Sequence, residues 1–185
     1  MWHLYFMSRH PDFTQFLSTP EPPELGPGPR TGVKSQAELE AQLLPMLADS
    51  TLSNERRQLV RALLLLWHDH LDASHGIAQN IGNPDGAFVH GIMHRREPDF
   101  SNAAYWFRRV GRHAVFDDIA NQVTTRLKAS DDRALEGRLV QNQSWDPFAF
   151  IEACEEVTGK GAAQVRLLRE IQRIETSVLL HCFVA

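Results

Sequence analysis

Residues 67–112 read WHDHLDASHGIAQNIGNPDGAFVHGIMHRREPDFSNAAYWFRRVGR, and this stretch decides the fold. It carries five of the nine histidines in the chain, and a sixth, His113, follows directly. Two triplets of histidine and carboxylate side chains recur in it at the spacing i, i+4, i+7, which puts each triplet on one side of a helix. The triplets are His68, Asp72 and His75, followed by His90, His94 and Glu97.

Helical periodicity continues on both sides of this stretch. Ser35 and Glu38 have the spacing of a capping box, and Pro45 is expected to kink or end the helix that they begin. Ser53 or Asn54 begins the longest predicted helix, which runs to about residue 82, where glycine and proline reverse the chain. Further helices are predicted at about 86–96, 101–110, 115–128, 147–157 and 162–182.

The whole chain is expected to be all-α. No stretch alternates with a period of two residues, so no sheet is expected, and the polar residues 130–144 are predicted to form a loop that could include a helical turn. The fold class is therefore a single compact bundle of six to seven mostly antiparallel helices. Residues 35–185 form this helical domain, and residues 1–34, with five prolines between positions 19 and 29, form an irregular N-terminal arm.

The spacing of the two triplets predicts a metal site. If the helices on either side of the short turn pack against each other, four imidazoles and two carboxylates face one volume. These groups suit zinc, iron, manganese or nickel, and helix-bundle metal sites often use histidine and glutamate three residues apart, as in His94 and Glu97. All six triplet residues are therefore candidate ligands of a divalent transition metal, between helices at about 58–82 and 86–97 and closed by the helix at 101–110.

A cluster of arginines predicts a second kind of ligand. Five arginines lie between positions 95 and 112. The guanidinium fork matches phosphate and carboxylate groups, so the same pocket could bind a small anionic ligand. The residues expected to contact this ligand are Arg95, Arg96, Asn102, Tyr105 and Arg109.

The same residues allow a structural interpretation, which stays open. Buried histidines, carboxylates and arginines can satisfy one another in a hydrogen-bonded network without any ligand. The protein would then be a helical interaction scaffold for a protein partner, with structural histidines. The sequence contains no GxSxG, GxGxxG or phosphate-loop motif, so it does not decide whether the protein is an enzyme.

Residues 90–111, HGIMHRREPDFSNAAYWFRRVG, resemble the marker sequence of an uncharacterised all-helical family. Members of that family read HxIMHRREGD and then YWFRR-G after a short gap, and this chain has Pro98 in place of the glycine. The resemblance implies a helical fold and no particular activity. A more local resemblance, at Gly91, Asp99, Ala103 and Trp106, is to one helix hairpin of the tetratricopeptide or Sel1 type, whereas a solenoid needs about three such units.

Composition limits the partners and the location that we expect. The net charge of -4 gives no reason to expect nucleic-acid binding, and the longest apolar run, residues 62–67, is far too short for a membrane span. Cys154 and Cys182 form no disulfide framework, which favours a reducing, cytoplasmic location. The aromatic residues Trp2, Tyr5 and Phe6 could mediate self-association, and either Met1 or Met7 could be the true start.

Overall fold

The computed structural model describes residues 11–157 and 161–185. Within these ranges, a 3-10 helix at Phe13–Leu17 precedes nine α-helices and one pair of very short antiparallel strands. The α-helices are α1 (Gln36–Asp49), α2 (Asn54–Trp67), α3 (Leu71–Ala78), α4 (Pro84–Arg96), α5 (Phe100–Val110), α6 (Phe116–Ala129), α7 (Arg133–Leu139), α8 (Pro147–Glu156) and α9 (Ala162–Val184). The strands are β1 (Val140–Gln141) and β2 (Ser144–Trp145).

The mostly all-α class is confirmed, but six to seven helices is too few. The long helix predicted from Ser53 to about residue 82 is two helices, α2 and α3, because the chain turns at residues 68–70. Asp69 in this turn has a φ of 68°, which is incompatible with a continuous right-handed helix. The predicted loop at residues 130–144 contains α7 and most of the β1–β2 pair, so the expectation of no sheet is wrong at this one place.

Side-chain caps begin several helices where the sequence predicts them. Ser35 accepts a hydrogen bond from the backbone N–H of Glu38, whose carboxylate in turn accepts one from the Ser35 N–H, so the capping box is confirmed. Ser53 caps α2, and Asp146 caps α8 ahead of Pro147. These caps satisfy N–H groups that lack a partner inside the helix.

Helix α1 does not end at Pro45. Proline removes one backbone hydrogen bond, yet α1 continues to Asp49. Leu39, Leu43 and Leu47 are buried along one face of the helix on both sides of Pro45. Burial of that apolar face outweighs the local cost of the proline, as tertiary packing commonly does.

Helix α2 is the centre of the core. Its residues 62–67 are all buried, and α1, α3, α4 and α9 pack against it. Helices α4 and α5 form a hairpin, since His94 contacts Asn102 and His90 contacts Trp106 in antiparallel order. Gly91 permits this close approach, because a Cβ atom there would lie 2.8 Å from the ring of Phe107.

The N-terminal arm packs along these helices. Phe13 and Phe16 are buried in the core, and Gln172 of α9 donates a hydrogen bond to the carbonyl oxygen of Pro23. Residues 1–10, and with them the hypotheses of self-association and of the true start, lie outside the described residues. Among the described helices, none has both the length and the apolar character that a membrane crossing requires.

Candidate metal centre

Helices α3 and α4 bring three of the predicted metal ligands together. His75 lies in the middle of α3, and His90 and His94 lie one turn apart on α4. One ligand atom from each of the three imidazoles lies within 4.8 Å of the other two. We call these three residues the histidine cluster, and only this part of the predicted six-residue site forms a group of mutually close metal-ligating atoms among the described residues.

The imidazole of His90 lies in a stack of rings. Its centroid is 3.8 Å from that of Trp106 and 4.9 Å from that of His94, and the ring planes are tilted by only 18° and 15°. The ring of His75 is tilted by 58° against that of His90, with a centroid distance of 4.6 Å. Trp106, which lies on α5, therefore fixes the position of the His90 imidazole. His75 approaches the same imidazole from α3.

Both ring nitrogens of His90 are buried without a hydrogen-bond partner among the described residues. The side chain is only 2% exposed. Burial, together with the neighbouring His94 and His75, lowers the pKa of His90 to about 4, so the imidazole is neutral at pH 7. A buried polar group without a partner is costly, and a neutral imidazole nitrogen has a lone pair that can bind a metal ion.

His94 contacts both Glu97 and Asn102. Its Nδ1 lies 3.1 Å from Oε2 of Glu97, and Nδ2 of Asn102 lies 3.1 Å from Nε2 and 3.3 Å from Nδ1. With the proton on Nδ1, the Nδ1–H group faces Glu97 and Nε2 is free to accept from Asn102. Burial lowers the pKa of His94, although Glu97 acts in the opposite direction. Glu97 is thus a carboxylate partner of His94. Carboxylates in this position orient metal-binding imidazoles in proteins.

Two other members of the predicted metal site lie apart from the histidine cluster. His68 is buried in the turn between α2 and α3, where Nδ1 accepts from the Lys34 N–H and Nε2 donates to the Phe16 carbonyl oxygen. His68 is not in the group of close ligand atoms, because the turn at Asp69 ends the helical register that would have aligned it with His75. Asp72 is exposed and lies outside the group of close ligand atoms.

Arg95 and Arg96, two of the predicted anion contacts, are buried and form ion pairs inside the protein. Arg95 is fully buried, and its guanidinium forms an ion pair with Glu175 of α9 at 2.5 Å. Arg96 forms an ion pair with Asp69 at 2.6 Å, and Arg30 of the arm contacts the same carboxylate at 2.5 Å. Both arginines are used inside the protein because a buried guanidinium needs a carboxylate partner. We call Arg30, Asp69 and Arg96 the Asp69 cluster.

The remaining predicted anion contacts lie on α5, near the histidine cluster. Asn102 contacts His94, whereas Tyr105 is 46% exposed. The guanidinium of Arg109 lies 5.4 Å from the ring centroid of Trp106, and Trp106 and Arg109 line a depression of about 230 Å³ beside the N-terminus of α4. Arg109 has no carboxylate partner within the described part of the chain.

Three important residues were absent from the predicted site: Trp106, Asp69 and Glu175. Trp106 lies four residues after Asn102 and therefore on the same side of α5, which is a signal that sequence spacing contains. Asp69 and Glu175 carry no comparable signal, because their partners are 27 and 80 residues away in the chain.

No protein-family model, curated protein or solved structure matches this chain. The two resemblances drawn from the sequence therefore stay predictions. The functional argument depends on the geometry of the histidine cluster.

Proposed function

We propose that the protein binds one divalent transition-metal ion through His75, His90 and His94. The observation that carries this proposal is the buried, neutral His90 ring, whose nitrogens have no partner within the described residues. A metal ion would satisfy one of these nitrogens and remove part of the cost of burying the ring. Its neighbours supply two further nitrogen ligands within 4.8 Å.

The donor set favours zinc, iron or nickel over manganese. Imidazole suits these metals, whereas manganese favours carboxylate and water ligands, and no carboxylate belongs to the group of close ligand atoms. Zinc–nitrogen bonds of about 2.0–2.1 Å in a tetrahedral site place the nitrogens roughly 3.3 Å apart. The rings therefore need to rotate inwards when the ion binds, and Nε2 of His94 must exchange its contact with Asn102 for the metal.

Glu97 has a positioning role in this proposal. By accepting a hydrogen bond from Nδ1 of His94, it leaves Nε2 as the metal-binding atom. Removing such a carboxylate lowers metal affinity about 10- to 100-fold in comparable sites. We expect Glu97→Gln to weaken zinc binding within that range in isothermal titration calorimetry. Glu55→Gln, on α2, is the matched control, and an unchanged affinity in Glu97→Gln would remove this role.

We further propose that a small anion shares this site with the metal ion, bound in the depression beside Trp106 and Arg109. Trp106 lines this depression and stacks on His90, whereas none of the three cluster histidines lines it. Arg109 supplies the positive charge with which a carboxylate or phosphate group would interact there.

The metal proposal is tested by titrating zinc and nickel into the purified, metal-free protein. We expect one ion per chain, with affinity lowered at least about 100-fold by His90→Gln or His94→Gln. His181→Gln is the control, because His181 is exposed and lies on α9, where it hydrogen-bonds to the Ser177 carbonyl oxygen of its own helix. Absence of binding, or full affinity in both cluster variants, would contradict the proposal and favour structural histidines.

Trp106 gives an independent signal of binding at this place. Its ring stacks on His90, so rotation of that imidazole towards a metal ion should change the indole fluorescence. We expect nickel to alter the emission of the wild-type protein and to leave the emission of Trp106→Phe nearly unchanged. Equal responses of the two proteins would place the ion elsewhere.

The anion proposal is tested separately on zinc-loaded protein, with acetate and inorganic phosphate as probes. Arg109→Met should weaken binding several-fold, whereas Arg108→Met, which removes an equally exposed arginine from the same helix, should not. Equal anion binding with and without zinc would contradict a shared site.

A further inference from the structure

We infer that the N-terminal arm is a positioning element of the metal centre, acting through the turn at residues 68–70. This inference rests on the proposed metal binding. The inferred role of the arm is to hold His75, the one member of the histidine cluster on α3, in position. All three residues of the turn have side chains that contact the arm.

Asp69 is held by the arm from one side and by α4 from the other. Its carboxylate accepts hydrogen bonds from the backbone N–H of Arg30 at 2.9 Å and from the Arg30 guanidinium at 2.5 Å. The guanidinium of Arg96 contacts the same carboxylate at 2.6 Å. Asp69 has a φ of 68°, a conformation that is uncommon for non-glycine residues although aspartate adopts it more readily than most, and here the contacts on both sides of its carboxylate hold it.

The two flanking histidines complete this attachment. His68 accepts a hydrogen bond from the N–H of Lys34 at 3.1 Å and donates one to the Phe16 carbonyl oxygen at 3.0 Å. His70 donates to the Lys34 carbonyl oxygen at 2.9 Å. The arm therefore satisfies polar groups of the turn that would otherwise be buried without partners.

These contacts oppose the local preference of the sequence. The periodicity of residues 53–82 favours one continuous helix, in which His75 would follow the axis of α2. The observed turn starts α3 at Leu71 in a new direction and brings the ring of His75 to 4.6 Å from that of His90. The arm thus stabilises the bent arrangement in which the histidine cluster exists.

Arg96 extends the attachment to the other half of the centre. It lies two residues after His94 at the end of α4, and its guanidinium also donates to the carbonyl oxygens of Glu24 and Gly26 in the arm. The arm therefore contacts both helices that supply metal ligands. By thermodynamic linkage, metal binding must stabilise arm docking by the same factor as docking strengthens metal binding.

The first test measures amide hydrogen exchange of the full chain with and without zinc. The informative amides are those of Arg30 and Lys34, which donate to Asp69 and His68 and have no direct contact with the histidine cluster. We expect saturating zinc to slow their exchange about tenfold. If the protein binds zinc but zinc does not slow exchange at either amide, the coupling between the arm and the metal is overturned while the proposed metal binding stands. A wild-type protein that binds no zinc would overturn both this inference and the proposed function.

The second test compares two arginine variants by zinc titration. Arg30→Met removes one partner of Asp69 while Arg96 remains, and we expect it to weaken zinc binding about tenfold. Arg61→Met is the matched control, because it removes an arginine–carboxylate pair with Glu40 that lies on α2 and α1. We expect its zinc affinity to stay within about twofold of wild type. Equal zinc affinities for Arg30→Met and wild type would overturn the inference, whatever happens to the melting temperature.

Discussion

The Asp69 cluster and the histidine cluster lie close together in the fold, yet they differ in one decisive respect. In the Asp69 cluster, one carboxylate contacts two guanidinium groups and a backbone N–H. In the histidine cluster, His90 is equally buried, but its ring nitrogens have no hydrogen-bond partner among the described residues. The first arrangement needs no ligand, whereas the second has an unused nitrogen lone pair that a metal ion can bind.

This difference in hydrogen bonding is the basis for assigning a structural role to the Asp69 cluster and for proposing a ligand at the histidine cluster. Evolutionary pressure for stability alone favours satisfied or apolar groups in a core, because a buried polar atom without a partner lowers the free energy of unfolding. The Asp69 cluster meets that requirement, and the histidine cluster does not. The following predictions test whether the two clusters contribute differently to the free energy of unfolding, as their hydrogen bonding indicates.

The largest effect is expected from Asp69→Ala. This change leaves two arginines without their shared carboxylate, and Arg96 is only 1% exposed. Breaking a buried ion pair in this way should lower the free energy of unfolding by about 3–5 kcal/mol. Urea denaturation followed by circular dichroism measures the change. Glu40→Ala, which removes a partly exposed pair with Arg61, should cost less than about 1 kcal/mol, and similar losses for both variants would contradict the comparison.

For each of two histidines taken singly, a smaller effect is expected from acid. These are His68, in the turn beside Asp69, and His90, in the histidine cluster. Burial lowers the pKa of both His68 and His90 to about 4 in the folded protein, from an ordinary value of 6.5. Between these two pH values the unfolded chain binds more protons than the folded one. The free energy of unfolding of the metal-free protein should therefore fall as the pH drops from about 6.5 to about 4, by up to about 3 kcal/mol for each histidine.

Denaturation at a series of pH values tests this expectation. His68→Gln and His90→Gln should each reduce the proton uptake on unfolding by up to about one, because glutamine keeps an amide donor and acceptor but does not titrate in this range. A pH dependence that neither variant changes would show that these two imidazoles do not account for the acid sensitivity.

The smallest effect, and the one with opposite sign, is expected from His90→Leu. Leucine removes the two unpartnered nitrogens and still fills space beside Trp106, so the metal-free variant should be about 1 kcal/mol more stable than wild type. Zinc should no longer raise its melting temperature, although it raises that of wild type. Differential scanning fluorimetry with and without zinc measures both quantities. A clear loss of metal-free stability would indicate that His90 has a structural role.

The sequence was informative where the relevant residues are close together along the chain. The helical class, the capping box at Ser35 and the cap at Asp146 follow from local patterns, and the structure confirms them. His90 and His94 face the same side because they lie one turn apart on α4. Their predicted partner His75 also lies in the cluster, although the helix that was expected to carry it is shorter.

The prediction failed where contacts between distant segments outweigh a local preference. No local pattern around Asp69 indicates that the helix is interrupted there, because its partners Arg30 and Arg96 lie 39 and 27 residues away. That interruption places His68 outside the group of close ligand atoms. The arginines at positions 95 and 96 have the composition of an anion site, yet in the folded protein Arg95 pairs with Glu175 and Arg96 pairs with Asp69.

The amino-acid sequence alone determined that the chain is helical and that imidazoles recur on one face of α4, because helix periodicity and capping depend on neighbours within a few residues. Tertiary structure alone decided which of those imidazoles meet. Burial requires every charged group to find a partner, and that requirement bends the chain at Asp69 and brings His75 to α4. The same packing leaves the nitrogens of His90 without a partner among the described residues.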